Sequence, residues 1–296
     1  MPPAAGTIGA FHGIDIEDYH GGDGVSKSAL DDFHKSPYIY WAKRNDPTRP
    51  PEEETASHLK GNLMHCAFLE PDSFSKRYVM VPEDAPRKPS ITQRNAAKPS
   101  PDTIAAIAWW DKFNLDTEGK KIITPEAYEL AWRQADSLRK VKALASLVGT
   151  GQPEVSAYWI DPITGLYCRC RPDYVAPIGA ADILIDAKGA VDVRPDVFSR
   201  KQAGSMRYHV QDAYYTDGWK NATGRDVLAF LFAVVEPEWP FLADVIEFDD
   251  KSKVQGRKDY RQDLNGIAEH QKNGVWTPDT EAVKTMSLAP YLFTEE

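Results

Sequence analysis

Between Pro153 and Gly189 the chain alternates between runs of β-branched, aromatic and apolar residues and short segments rich in proline and glycine. Three strands are predicted there, at residues 154–160, 166–175 and 182–188. The connecting segments 161–165 and 176–181 hold the proline and glycine expected of turns between paired strands. This pattern predicts an antiparallel meander, around which the rest of the chain is arranged.

Helical spacing of apolar residues is found on both sides of the meander. Capping signals and spacing predict helices that begin near Ser28, Thr55, Thr124, Ala203 and Lys251. The helix from Thr124 should be the longest and should end at Gly149 and Gly151. Residues 227–235 are apolar on both faces, which predicts a central strand, and residues 242–248 predict one more strand. The pattern favours an α/β fold.

A length of 296 residues with 42% apolar content is enough for a core, and we expect a single domain. Residues 1–25 predict an N-terminal arm that wraps this domain. Residues 82–101 are basic and rich in proline without apolar periodicity, which predicts a mobile loop: either a solvated insertion or a flap over a polyanion. Residues 250–296 predict a helix followed by an irregular tail.

The chain is acidic, with a net charge of −9, so any DNA binding must come from a local basic surface. No apolar run is long enough to cross a membrane, and the amino terminus does not resemble a secretion signal. The cysteines, Cys66, Cys168 and Cys170, are odd in number, which predicts reduced thiols. We expect a cytoplasmic protein with no membrane partner.

Polar side chains interrupt the meander where a core strand should be apolar. They are Glu154, Asp173, Asp186 and Lys188. Asp186 and Lys188 are two residues apart, so they share one face of their strand. Carboxylates that converge on one sheet edge repel each other unless a cation lies between them. A hard divalent ion is the expected cation.

Two helices add candidate positions. Gly61 precedes His65 by one turn, and a glycine there would let this face approach a sheet, so His65 is either a ligand or a structural histidine. Ser26, Lys27 and Ser28 stand at the start of a helix, where free N–H groups suit a phosphate. The alternative is that Ser28 only caps this helix, which should end near Ser36-Pro37.

These motifs together resemble the PD-(D/E)XK nuclease superfamily. Arg171-Pro-Asp173 followed by Asp186-Ala-Lys188 looks like its D…DxK metal-binding motif. Gly61-Asn-Leu-Met-His65 with Leu69-Glu-Pro71, and downstream Gln211-Asp-Ala-Tyr-Tyr215, resemble further motifs of the RecB-like branch. The resemblance implies a restriction-endonuclease-like α/β core with a mixed central sheet flanked by helices.

The segment Ser26-Lys-Ser-Ala-Leu30 with Lys35-Ser-Pro37 resembles RecE-type exonucleases (exodeoxyribonuclease VIII) of phage and prophage recombination systems. This resemblance implies Mg²⁺-dependent degradation of linear double-stranded DNA from its 5′ ends, with Mn²⁺ able to substitute. The product would be a 3′ single strand for an annealing protein of the RecT type. It also implies a ring of four chains in the cytoplasm of a bacterial or phage-infected cell.

By resemblance, the catalytic and metal-binding positions are His65, Glu154, Asp173, Asp186 and Lys188. Asp173 and Asp186 would be the main metal ligands, joined by the Ala187 carbonyl, while His65 and Glu154 complete or orient the metal shell. Lys188 would position or deprotonate the attacking water, or form a plain salt bridge with Asp186 in the resting state.

The DNA-binding positions also follow from the resemblance. Gln211 and Tyr215, one helical turn apart, would hold the DNA backbone, although Tyr215 could instead pack on the sheet. Arg171 and Ser28, with Lys27 next to Ser28, would hold a 5′ phosphate. Cations expected to line the ring are Arg87, Lys88, Arg94, Lys98, Arg200, Lys201 and Arg207.

Two alternatives remain at this point. The first is another nuclease of the same superfamily, such as a site-specific endonuclease, and the second is a non-catalytic DNA-binding protein on a decayed nuclease fold. The absence of helicase motifs from the sequence favours end-dependent degradation, and the intact Asp, Asp and Lys set argues against decay.

Overall fold

The computed structural model describes residues 1–51, 55–277, 283 and 285–287. In these ranges helices cover both faces of a mixed sheet. The described strands are β1 (Gly9–Phe11), β2 (Tyr78–Met80), β3 (Lys121–Ile123), β4 (Gln152–Pro153), β5 (Ser156–Ile160), β6 (Tyr167–Cys170), β7 (Tyr174–Ile178), β8 (Ala181–Gly189), β9 (Asp226–Val235) and β10 (Ala243–Ile246). The described helices are α1 (Ile16–Gly21), α2 (Lys27–Lys35), α3 (Pro37–Asn45), α4 (Ala56–Leu69), α5 (Pro71–Arg77), α6 (Ile91–Arg94), α7 (Pro101–Asp116), α8 (Pro125–Lys140), α9 (Lys142–Ala145), α10 (Pro195–Phe198), α11 (Tyr208–Thr223) and α12 (Asp250–Asn273).

The central sheet has the strand order β10-β9-β8-β7-β4. β8 and β9 run parallel, with Asp186 opposite Phe232 and Lys188 opposite Val234, while the other neighbouring strands are antiparallel. β9 lies inside the sheet, which confirms the central strand predicted from residues 227–235. A smaller sheet has the order β1-β5-β6, and β2 pairs in parallel with β3.

The two faces of the central sheet are buried under different helices. Ile185 and Ala187 of β8 pack with α4 and α8 on one face. Leu184 packs with α2, α11 and α12 on the other face. Because side chains alternate along a strand, Asp186 and Lys188 share the α11 face with Leu184. The sheet thus presents both polar side chains of β8 to a helix.

The helix starts follow from hydroxyl caps. The side chains of Thr55 and Thr124 accept hydrogen bonds from the N–H groups of the first turns of α4 and α8, and of these two caps the one at Thr124 was predicted. The predicted Ser28 cap is wrong, because Ser26 accepts from the Ala29 N–H and caps α2. Ser28 lies inside the first turn, with its hydroxyl 2.9 Å from that of Ser26.

The helix from Thr124 is shorter than predicted. It ends at Lys140, and Val141 is extended (ψ 112°) before the short helix α9. Leu138 and Leu144 on either side of the break are both buried in the same core, so the apolar spacing continues across it. The longest described helix is instead α12, with 24 residues.

The predicted strand 166–175 is two strands in different sheets. β6 pairs with β5, whereas β7 pairs with β8. Arg171, Pro172 and Asp173 carry the chain between them, and Pro172 has no N–H to offer a ladder. The predicted turn 176–181 is also mostly strand, because the hairpin turns only at Gly179, which has φ +60°.

Residues 82–101 are more structured than a mobile loop. They contain α6 and lie against α7, a helix that the sequence analysis did not predict. Trp110 of α7 donates its indole N–H to the Pro86 carbonyl, and the Lys88 ammonium lies 5.3 Å from the Trp110 ring. Arg94 forms an ion pair with Asp111.

Residues 1–25 lie against the strands that follow β4. β1 adds to the edge of β5, and Ile14 and Tyr19 are buried, with Tyr19 packed on Tyr158. Ile16 is half exposed. Of the tail, residues 278–282, 284 and 288–296 lie outside the described residues. They include Leu292, which we expect, with Ile14, Ile16 and Trp276, to supply part of the interface of a closed ring.

Among the described residues, no helix combines the length and apolar character needed to cross a bilayer.

Candidate functional site

The polar residues of the meander meet at one end of β8. Asp173 directly precedes β7, Glu154 lies between β4 and β5, and Asp186 and Lys188 are in β8. The Glu154 N–H donates to the Asp173 carbonyl oxygen at 3.0 Å, which ties the two acidic positions together. His65 reaches the same place from α4.

His65 and Asp173 form the centre of this cluster. His65 Nε2 lies 2.6 Å from the Ala187 carbonyl oxygen, and His65 Nδ1 lies 3.3 Å from Asp173 Oδ2. A carbonyl only accepts, so Nε2 carries a proton and, in the neutral ring, Nδ1 offers a lone pair towards the carboxylate. Two facing acceptors require a cation between them, either a proton or a metal ion. The Ala187 N–H fixes the carboxylate by donating to Asp173 Oδ2 at 2.7 Å.

Asp186 and Lys188 form an adjacent ion pair. The Lys188 ammonium lies 2.5 Å from Asp186 Oδ2, and Gln211 of α11 donates to Asp186 Oδ1 at 2.6 Å. The ammonium also lies 5.2 Å from the centre of the Tyr208 ring. The side chain of Asp186 is therefore held from two sides, by a strand neighbour and by a helix.

The electrostatics of the cluster are those of crowded, buried acids. Burial, followed by the charge of Asp173, raises the pKa of Glu154 to about 7. Burial, followed by the charge of Asp186, raises the pKa of Asp173 to about 6. Burial alone would lower the pKa of Lys188, but Asp186 and Asp173 outweigh it, so this pKa is raised. Lys188 is therefore protonated at neutral pH.

The donor set suits a divalent ion. His65, Glu154 and Asp173 each offer one ligand atom, and these atoms lie within 4.8 Å of one another. Carboxylate oxygens together with one imidazole are ligands of divalent metal ions. Asp186 is not part of this group, because its carboxylate contacts Lys188 and Gln211.

The two side chains of α11 predicted to contact DNA interact with other residues of the protein. Gln211 faces the site but binds Asp186. Tyr215 packs edge-on against Phe230 of the central sheet, with ring centres 5.8 Å apart, as in the alternative considered for it.

The expectation that Gly61 lets its face of α4 approach the sheet closely is wrong, since a Cβ at Gly61 would meet nothing within 4 Å.

The three predicted phosphate ligands are in different surroundings. Ser28 is exposed at the start of α2. The Lys27 ammonium binds Asp31 at 2.6 Å and the Met206 carbonyl at 2.6 Å. Arg171 is only 8% exposed and binds the backbone carbonyls of Glu154 and Ile14. Their phosphate contacts remain predictions.

Sequence reasoning missed the residues that support Lys188. Tyr208 stacks on Phe232, and its hydroxyl accepts from Gln202 Nε2 at 3.3 Å. Gln202 also donates to the Gly189 carbonyl at 2.8 Å, and it lies in a π-helical turn, Ser199–Ala203. Such turns are often found at functional sites, but their residues match no sequence motif.

Comparisons with known proteins agree with this architecture. One similar structure is the crystal structure of a protein from Eubacterium rectale that is described provisionally as an exonuclease. It is 14% identical and has a TM-score of 0.57, and the match covers 94% of this chain and 97% of that chain. This likeness shows the fold. The crystal structure of SSO0001 is 12% identical, with 85% of this chain and 88% of that chain covered, and has a TM-score of only 0.25.

No curated protein matches the sequence. A family model described as a PDDEXK-like domain of unknown function, DUF3799, matches residues 26–288. That range includes all five residues of the cluster, from His65 on α4 to Lys188 on β8. The fold, with its restriction-endonuclease-like sheet flanked by helices, is the one that this description implies. The chain belongs to the DUF3799 family of PDDEXK-like domains.

Proposed function

We propose that this protein is a Mg²⁺-dependent exonuclease of the RecE type that degrades linear double-stranded DNA from its 5′ ends. The PDDEXK-like fold supports a nuclease function, and nucleases of this fold typically use divalent metals. The provisional exonuclease description of the Eubacterium rectale protein supports action at DNA ends. The 3′ strands left behind would serve an annealing protein of the RecT type.

One observation carries the proposal. The lone pair of His65 Nδ1 and the Asp173 carboxylate face each other at 3.3 Å, with Glu154 within reach and the Lys188 ammonium beside them. The Arg171 guanidinium lies 3.4 Å from one Glu154 oxygen. Ligand atoms of His65, Glu154 and Asp173 nevertheless converge within 4.8 Å of one another, which suits a shared divalent cation.

His65, Glu154 and Asp173 would hold the ion, and Asp186 could join them once Lys188 moves towards substrate. A bound divalent ion would neutralise charge on the phosphate and acidify the attacking water. In the metal-free protein Lys188 is protonated, and from that state it could orient the water or donate a proton to the leaving oxygen. Asp186 and Gln211 would position the Lys188 ammonium.

The proposal is tested by incubating the purified protein with linear and closed circular duplexes, each with Mg²⁺, Mn²⁺ or EDTA. We expect loss of the linear duplex only, with either metal, and accumulation of 3′ single strands. Cleavage of closed circles would instead support the endonuclease alternative. Binding of DNA without cleavage under every condition would support a decayed nuclease fold.

A further inference from the structure

Two buried arginines fasten the N-terminal arm, residues 1–25, to the body of the domain. Arg169 of β6 donates to the Tyr19, His20 and Gly22 carbonyls, and Arg171 donates to the Ile14 carbonyl. Their guanidinium groups lie 4.7 and 4.8 Å from the Tyr19 ring. Tyr19 is 6% exposed, and the two arginines are 7% and 8% exposed. The arm is thus attached to both arginines, through its backbone carbonyls and through the Tyr19 ring.

The two arginines differ in what they contact on the other side. Arg171 Nε donates to the Glu154 carbonyl at 3.1 Å and lies 3.4 Å from Glu154 Oε2. Arg169 makes no such contact with Glu154 among the described residues. Arg171 therefore connects the arm to the acidic cluster, whereas Arg169 only attaches the arm.

Glu154 needs outside support for its conformation. Its φ is +54°, in the left-handed region, which costs a residue other than glycine about 1 kcal/mol or more. Its N–H is held by the Asp173 carbonyl, and its own carbonyl is held by Arg171. Loss of the Arg171 contact would leave the backbone free to relax and turn the carboxylate away from His65.

We propose that Arg171 and Tyr19 are positioning residues for Glu154, so that the N-terminal arm is part of the divalent-metal site. Tyr19 and the Ile14 carbonyl fix the guanidinium, and the guanidinium fixes both the backbone and the carboxylate of Glu154. The family match begins at residue 26, so this contribution comes from outside the matched region. The inference rests on the proposed metal cluster.

The test measures metal affinity in the absence of DNA, by titrating Mn²⁺ into the metal-free protein in a calorimeter. Arg171→Lys keeps the positive charge but removes the planar, multi-donor group. It should weaken Mn²⁺ binding ~10-fold or more, as expected for lost outer-shell support. Arg169→Lys is the matched control, because it makes the same change under the same ring without a contact to Glu154, and it should weaken Mn²⁺ binding much less than Arg171→Lys does.

The arm is tested separately at Tyr19. Tyr19→Phe keeps the ring and should bind Mn²⁺ like the parent, while Tyr19→Leu removes it and should weaken binding in the same direction as Arg171→Lys. The two Tyr19 variants still test the inference if Arg171→Lys fails to fold. Circular dichroism and thermal unfolding would confirm that the compared variants are folded.

Three results would overturn the inference. They are unchanged affinity in Arg171→Lys, an equal loss in Arg169→Lys, and unchanged affinity in a folded Tyr19→Leu. In each case, Mn²⁺ binding by the parent protein would still support the proposed metal cluster. A parent that binds no Mn²⁺ would refute the cluster and the inference together.

Discussion

Asp173 has two contacts that one substitution can separate. Asp173→Asn keeps an oxygen that can accept from the Ala187 N–H but removes the negative charge that faces His65. We expect cleavage of linear DNA to be abolished, and thermal unfolding of the metal-free variant to occur at the parent's temperature or higher, because repulsion between buried acids is relieved. Near-normal cleavage by this variant would contradict the metal assignment.

Lys188→Ala separates chemistry from metal binding. The ammonium contacts Asp186 and the Tyr208 ring but is not itself a ligand. The variant should lose cleavage while retaining Mn²⁺ binding in a calorimetric titration. Loss of Mn²⁺ binding would show instead that Lys188 acts by shaping the site.

The raised pKa values of Glu154 and Asp173, about 7 and about 6, predict how metal binding depends on pH. The folded protein holds these protons more tightly than the unfolded chain, so their stabilising contribution is present below the ordinary carboxyl range and is lost as pH rises towards 7. A metal ion needs the deprotonated groups. Mn²⁺ affinity should therefore rise between pH 5 and pH 8, and binding at pH 6 should release protons.

Calorimetry at pH 6 in two buffers of different ionisation enthalpy measures this release. Asp212→Asn provides a matched control, because burial also raises the pKa of Asp212 to about 7, and this carboxyl lies on α11 outside the metal cluster. The control should change the pH dependence of stability but leave proton release on metal binding intact. If the heat of Mn²⁺ binding were the same in both buffers, no protons would be released, which would contradict the assignment of Glu154 and Asp173 as metal ligands.

The candidate site residues have a signal in the sequence because they stand at motif positions in neighbouring elements. Asp173, Asp186 and Lys188 are visible as polar residues in an apolar pattern, and the structure brings them together with His65. Arg171 was assigned to a phosphate because a sequence does not show that the Ile14 carbonyl, far away in the chain, occupies its guanidinium. Tyr208 and Gln202 had no signal for the same reason.

At the scale of elements, the crossing of α11 and α12 depends on one glycine. A Cβ on Gly256 would lie 2.0 Å from the His209 carbonyl oxygen, which is backbone and cannot move cheaply. Gly256→Ala should lower the free energy of unfolding by about 1–3 kcal/mol, the usual cost of overpacking. Denaturant unfolding of the metal-free protein measures this.

Gly61→Ala is the control for that substitution. Gly61 is also inside a helix, but its surroundings are open, and alanine is a better helix former by about 0.8–1 kcal/mol. We expect Gly61→Ala to be neutral or stabilising. If both variants lose the same stability, the close approach of α11 and α12 is not the cause.

Periodicity predicted most elements but not how the strands are distributed between sheets. Residues 168–176 are buried without interruption, and only the pairing shows that β6 and β7 belong to different sheets. The break at Val141 was hidden because the residues on either side face the same core. The hydroxyl cap at Thr124 was a local signal and was predicted correctly, and the helix start at Thr55 was predicted from apolar spacing.

At the scale of the whole molecule, the ring of four chains remains a proposal. A chain of charge −9 can stay on DNA only if its cations are concentrated on a surface around the strand. Arg207 is not available for that lining, because it is buried in ion pairs with Asp31 and Asp263. Arg87, Lys98 and Lys201 are exposed and remain candidates.

Sedimentation of the purified protein should give the mass of about four chains, as a closed ring with cyclic symmetry requires. Digestion of a long duplex should then continue after excess competitor DNA is added. A monomer that stops at once on addition of competitor would contradict the ring and leave the metal chemistry unaffected.

The most direct test of the central claim is to locate the ion. A crystal structure of the protein with Mn²⁺, recorded at the manganese absorption edge, gives the position of the metal independently of any assay. We predict an anomalous peak bonded to His65, Glu154 and Asp173, and no such peak in crystals of Asp173→Asn. A peak at another place, or none at these residues in the parent protein, would contradict the account.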